Sequence, residues 1–192
     1  IENNIKKIII KKPLALDCGK IISNFPLAYE TYGYLNDKKD NAILVFHALT
    51  GDQFACGINP ITKKEGWWSY ALGPGKAIDT KKYFVICANV IGGCMGSYGP
   101  SNLDTNTKKP FGTNFPVITI NDMVNAQYHL LSFFGIEKLF AVIGGSMGGM
   151  QVLQFVSNFP NKSHLAIPIA CTASHSAQNI ALNELGRQSI MA

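Results

Sequence analysis

The chain has 192 residues, of which 47% are hydrophobic and 15% charged, enough apolar material for one domain with a sizeable core and too much for a disordered segment. Its formal charge of +5 is almost all lysine, Arg187 being the one arginine. The lysines lie in scattered pairs such as Lys38-Lys39 and Lys81-Lys82, unlike the arginine-bearing stripe of a nucleic-acid reader, so no nucleic-acid partner is expected. Five cysteines without a C-x-x-C pair point to free thiols in a reducing cytoplasm rather than to a disulfide framework or a metal site. No apolar run approaches the roughly 20 residues of a membrane span. Ile1-Glu2-Asn3-Asn4 carries neither an initiator methionine nor a signal-peptide core, and Ala192 follows no stop signal, so both ends read as cut.

In chain order, residues 5–10 and 28–32 predict two early antiparallel strands near a sheet edge. Ala42–Phe46 predicts a buried strand between the breakers Asp40-Asn41 and Thr50-Gly51, and residues 83–88 another that runs into the loop at Gly92-Gly93. Residues 57–77 and 92–116 are long and irregular, as substrate-shaping loops tend to be. Thr119 and Asp122 form a capping-box pattern and Gly135 a C-terminal stop. The stretch between predicts a helix with Met123, Ala126, Leu130, Leu131 and Phe134 on one face. A strand over 139–143, a Gly-Gly-Ser-Met-Gly-Gly turn, a helix over Met147–Asn158, a strand over 165–170 and a helix over 174–191 follow. With no repeat or linker in between, residues 1–192 read as a single α/β domain, its sheet mostly parallel with helices on both faces.

Gly144-Gly145-Ser146-Met147-Gly148 matches G-x-S-x-G, and its setting between a strand and a helix is that of the nucleophile elbow of the α/β-hydrolase fold. Such a turn holds its serine in a strained backbone conformation above the sheet, so its neighbours must be nearly without side chains. Gly144 and Gly148 supply that clearance, and Gly145 and Gly149 relax the turn further. A dinucleotide loop is ruled out, because the second glycine of G-x-G-x-x-G is replaced and the first acid after Ser146 is Glu184. Gly75-Lys76-Ala77 lacks the rest of a phosphate loop. A plain tight turn with a buried serine is the remaining structural alternative.

The loop after the third strand, His47-Ala48-Leu49-Thr50-Gly51, is placed to supply a second oxyanion donor. The backbone N–H of Leu49 is expected to join that of Met147, at the start of a helix whose dipole favours negative charge. His47 lies on the oxyanion side and reads as structural rather than as the general base. An elbow serine is a poor nucleophile without a base, and in this fold an acid and then a histidine follow it. No aspartate follows Ser146, and Glu184 has no histidine after it; His164 and His175 precede it, and His129 lies in the earlier helix. The acid and base are therefore expected beyond Ala192. The chain reads as truncated before the last strands and the lid, and is expected to be inactive alone.

Several blocks together are more specific than the elbow: Phe46-His47-Ala48-Leu49-Thr50-Gly51, Gly66-Trp67-Trp68, Gly73-Pro74-Gly75-Lys76, Asn89-Val90-Ile91-Gly92-Gly93-Cys94, Gly99-Pro100-Ser101, the stretch 144–151 and Ser176-Ala177-Gln178-Asn179. With them the chain resembles the homoserine O-acetyltransferase family. The resemblance implies Ser146 as the acyl-accepting nucleophile, acetyl-CoA or succinyl-CoA as donor substrate, homoserine as acceptor and no permanently bound cofactor or metal. It also implies ping-pong transfer in methionine biosynthesis, a cytoplasmic enzyme, and a homodimer when full length. Departures from the family pattern are Glu65 and Ser69 around the tryptophan pair, Tyr98 in place of Thr with an altered acyl or alcohol pocket as its expected effect, and His175 in place of Arg. Arg187 reads as a helix-surface residue, and Cys94 as a small buried loop residue rather than a second nucleophile. An esterase with the same elbow and a non-catalytic scaffold are the rival readings.

Overall fold

A computed structural model describes residues 5–105 and 107–192; the terminal residues 1–4, and Asn106 within the loop 92–116, lie outside the described residues. The strands are β1 (Lys7–Ile10), the short pair β2 (Leu14–Ala15) and β3 (Ile21–Ile22), β4 (Phe25–Tyr32), β5 (Ala42–Phe46), the short pair β6 (Leu72–Gly73) and β7 (Ile78–Asp79), β8 (Phe84–Ala88), β9 (Leu139–Gly145) and β10 (Ser163–Ile169). The α-helices are α1 (Ile120–Phe134), α2 (Met147–Asn158) and α3 (Ala177–Met191). The main sheet has six strands in the order β1-β4-β8-β5-β9-β10. β5 runs parallel to β8 and β9, and β9 to β10, while β4 is antiparallel to both β8 and β1.

The two central strands β5 and β8 are buried at every position, as runs of apolar residues in a parallel sheet covered on both faces must be. Leu44, Phe46, Ile86 and Val142 meet Val124, Leu130, Leu131, Val152 and Phe155 of α1 and α2 on one face. On the other, where strand–helix alternation predicts further helices, Ile43, Val45, Val85 and Ile143 are covered by Ala55, Leu72 and Ile78 with Trp67 and Trp68 packed against them. Within the segment 57–77, expected to shape a substrate site, Trp67, Trp68 and Leu72 serve this core packing. At the far edge β10 is exposed, with Leu165, Ile167 and Ile169 at 49, 41 and 42%.

α1 follows from its caps. Thr119 accepts from the Asp122 amide while Asp122 accepts from the Thr119 amide, and Gly135 closes the helix at φ 65°. The buried stripe, however, is Val124, Ala126, Gln127, Leu130 and Leu131, so Met123 and Phe134 flank the core rather than define it. β9 reaches two residues past the apolar run because Gly144 still pairs with Phe46 and Gly145 with Ile169. α3 starts at Ala177 because the Ser176 hydroxyl caps it by accepting from the Asn179 amide.

Candidate active site

Register brings Phe46 of β5 beside Gly144 of β9, and Val45 beside Cys87 of β8. The loops 47–51 and 89–94 and the turn at Ser146 therefore leave from the carboxyl ends of three adjacent parallel strands, where ligands bind in open α/β sheets. Ser146 has φ 56° and ψ −121°, a region costing on the order of 1–3 kcal/mol for a residue with a side chain. Its backbone is fixed on both sides: the amide donates to the Ile169 carbonyl at 2.9 Å, and the carbonyl accepts from the Met150 amide at 3.1 Å. The side chain is exposed, which removes the buried-serine alternative. Among the described residues nothing hydrogen-bonds to the hydroxyl, so no histidine or carboxylate here serves it as a base.

Two glycines make this turn possible. A Cβ on Gly148 would sit 2.1 Å from the Phe46 carbonyl oxygen, and one on Gly144 2.5 Å from the Gly148 oxygen. The other two differ from expectation. A Cβ on Gly145 would meet nothing within 4 Å, so the turn does not require that glycine; Gly149 is needed instead for packing, since its Cβ would meet the Cys171 sulfur at 2.7 Å.

The backbone amides of Leu49 and Met147 donate to no described residue, and both residues line one cavity of about 440 Å³ together with Gly92, Cys94, Phe115 and Met123. Met147 is the first residue of α2, so its N–H is one of the unpaired donors every helix start presents. Leu49 is 78% exposed. Cys94, expected to be buried, is exposed and lines this cavity.

His47 is buried, and both ring nitrogens are occupied. Nδ1 lies 2.7 Å from the Ala48 carbonyl, which can only accept, so Nδ1 carries the proton; Nε2 accepts from the Val90 amide at 3.2 Å. Burial pushes its pKa below the ordinary value, against the upward pull of the Ala48 carbonyl and Asp52. The ring is a neutral strut, not a base. It fixes the peptide between Ala48 and Leu49, and because the N–H of a trans peptide points opposite to its carbonyl, the Leu49 N–H faces away from His47. The Gly51 amide also donates to the Ala48 carbonyl, at 2.9 Å. From behind, the Trp67 indole donates to the Asp52 carbonyl at 2.9 Å and the Gln53 amide to the Met95 carbonyl at 2.9 Å, tying the loop after β5 to its neighbours.

The remaining predicted residues fall elsewhere. Arg187 pairs with Glu184 on the exposed surface of α3. His164 and His175 are exposed, and His129 lines a groove along β1. Tyr98 does not line the cavity beside Met147; it packs against Phe25, Phe111 and Phe115 with ring centroids 6.1, 5.9 and 5.3 Å away, touching the cavity only through Phe115. Ser69 is buried with its hydroxyl unpartnered. All five cysteines are free, and among the described residues no cluster of ligating side chains could hold a metal and no helix is long and apolar enough to cross a membrane. Sequence reasoning missed Gln127 and Gln151, which are fully buried and hydrogen-bonded behind the elbow.

Comparison with known proteins agrees with this fold. A family model for the alpha/beta hydrolase fold matches residues 41–182, and the chain belongs to that family. Within it, a homoserine O-acetyltransferase from Pelagibacter ubique (strain HTCC1062) is 79% identical over 192 residues, which are all of this chain and 52% of that protein. Among solved structures, esterase E22 matches with a TM-score of 0.84 and 36% identity, over 94% of this chain and 51% of its own. The homoserine O-acetyltransferase from Bacillus anthracis matches at 0.77 and 34%, over 83% and 44%. The chain spans about half the length of the curated relatives it matches.

Proposed function

We propose that this chain carries the acyl-accepting serine of an acyl-CoA-dependent O-acyltransferase that acetylates the side-chain hydroxyl of L-homoserine. The observation that supports it most is the exposed Ser146 hydroxyl, on a strained strand–helix turn beside a cavity that the two unspent amides of Leu49 and Met147 adjoin. On this reading Ser146 Oγ attacks the thioester carbonyl carbon and loses its proton to a base. The carbonyl oxygen takes the negative charge and rests on the Leu49 and Met147 amides. When it collapses, the carbon–sulfur bond breaks and CoA leaves with the proton. The homoserine hydroxyl then attacks the acyl-serine, and the same steps release the ester. The base and its orienting acid are assigned to the part of the relatives' length that this chain does not match. Acyl-CoA acts as a substrate, and no resident cofactor is invoked. A cytoplasmic homodimer working in methionine biosynthesis is the setting that goes with this activity.

The likeness to esterase E22 supports a second reading in which water takes the acyl group. Intact-mass measurement of the full-length protein mixed with acetyl-CoA or succinyl-CoA identifies the donor. A gain of one acyl group that is absent in Ser146→Ala is expected. Release of that group to homoserine faster than to water or serine supports the transferase, and equal loss to water in its presence supports the esterase. No mass gain with either donor would refute acyl transfer through Ser146.

A further inference from the structure

We infer that Gln151, oriented by Gln127, is a positioning residue that sets the separation of the Leu49 and Met147 amides; this rests on the oxyanion role proposed for them. Gln151 lies one turn into α2. Its Nε2 donates to the Met147 carbonyl and to the His47 carbonyl, each at 3.4 Å. These contacts are long, but they reach both segments that carry a donor: Met147 itself, and the residue at the head of the loop leading to Leu49. Gly148 sets the opposing limit, because a Cβ there would sit 2.1 Å from the Phe46 carbonyl oxygen and 3.1 Å from that of His47, so only a glycine lets the segments approach this closely. Two backbone segments are thus in contact at a glycine and held together by one side-chain amide.

The amide orientations follow from the partners. Two carbonyl oxygens face Gln151, so its NH₂ must point to them and its Oε1 away. Oε1 then accepts from Gln127 Nε2 at 2.7 Å, which requires Gln127 to turn its own oxygen toward surroundings that offer no donor. That oxygen is buried and unpartnered. For stability alone, an apolar pair of the same shape would avoid this defect at little cost. What the glutamine pair achieves, and an apolar pair would not, is a directed donor on the two carbonyls.

The test uses the full-length protein with Gln151→Met, Gln151→Glu and Gln127→Met, measuring melting temperature, Ser146 acylation and the kcat and KM for acyl-CoA. Gln151→Met is expected to fold and to lower kcat by roughly ten- to a hundred-fold with KM little changed, as for an oxyanion donor displaced by a fraction of an ångström. Gln127→Met leaves both carbonyl contacts in place but frees the amide to rotate, and gives a smaller loss of the same kind. In Gln151→Glu a buried carboxylate opposes two carbonyls, whereas its protonated form can donate to one of them. Relative to wild type, its rate therefore climbs as pH is lowered, a signature that mere packing would not produce. If folded Gln151→Met acylates at the wild-type rate, or if the Gln151→Glu profile runs parallel to wild type, the positioning role is overturned while the function proposed above stands. Should Gln151→Met fail to fold, the Gln127→Met rate and the Gln151→Glu profile decide. A wild-type protein that is never acylated at Ser146 overturns both.

Discussion

A Cβ on Gly148 would lie 2.1 Å from the carbonyl oxygen of Phe46. The first turn of α2 and the end of β5 thus touch backbone to backbone, and that contact places the loop 47–51 beside the turn that bears Ser146. Gly145, three residues earlier, sits in open space at an ordinary negative φ. The two glycines of the same motif therefore answer to different constraints.

Gly148→Ala is expected to destabilise the protein by roughly 1–3 kcal/mol or more, because the obstructing atoms are backbone and cannot swing aside. Gly145→Ala is expected to change stability by no more than about 0.5 kcal/mol. Urea unfolding of the two variants side by side checks this, and equal losses would contradict the crowding account.

Cys94 offers a chemical handle on the cavity. Its thiol is exposed beside Met147 and Leu49, whereas Cys87 is buried and burial pushes its thiol pKa up, which leaves it inert. Alkylation with iodoacetamide is expected to slow Ser146 acylation, acyl-CoA to protect against it, and Cys94→Ser to be insensitive. Loss of activity in alkylated Cys94→Ser would move the sensitive thiol elsewhere, Cys18 being the other exposed one.

Acid sensitivity follows from His47. Burial holds its pKa below the ordinary 6.5, so between the two values the unfolded chain binds the proton and the folded one does not. Its contribution to stability is complete above about pH 6.5 and is lost as pH falls through the lower, folded value. Partial burial and Lys12 shift His129 the same way. Asp17 and Asp79 are shifted down from 3.8 and act only in more acid solution. The urea midpoint is expected to drop from neutral pH toward about pH 5. His47→Asn, which keeps a donor for the Ala48 carbonyl but cannot titrate, should flatten that drop; an unchanged slope would assign it to His129.

What was legible in the sequence was local. α1 is bounded by a capping box and a left-handed glycine, each written in adjacent residues, and the turn at Ser146 is spelled out by its glycines. Long-range contacts were not legible. Nothing near Gln151 in sequence reveals that its amide meets the His47 carbonyl, 104 residues away. The irregular stretch 57–77 likewise carries no period, yet Trp67, Trp68 and Leu72 close one face of the sheet. Cys94 reads as a small buried residue, but its fate depends on where the loop 92–116 turns.

The strain at Ser146 gives the last prediction, in which stability and activity move in opposite directions. At φ 56° and ψ −121° any Cβ is uncomfortable, and the cost is on the order of 1–3 kcal/mol. Ser146→Gly removes that strain but loosens the unfolded chain, which costs about 0.4–1 kcal/mol. Strain relief wins, so Ser146→Gly is expected to be more stable than wild type by about 1 kcal/mol and unable to accept an acyl group. Ser146→Ala keeps the Cβ and hence the strain, and should be equally inactive without the gain. The difference between the glycine and alanine variants in urea midpoint isolates the backbone term from the lost hydroxyl, since both lack it. If the two melt alike, the turn holds no strain, and the backbone pressing the serine outward is not what exposes it.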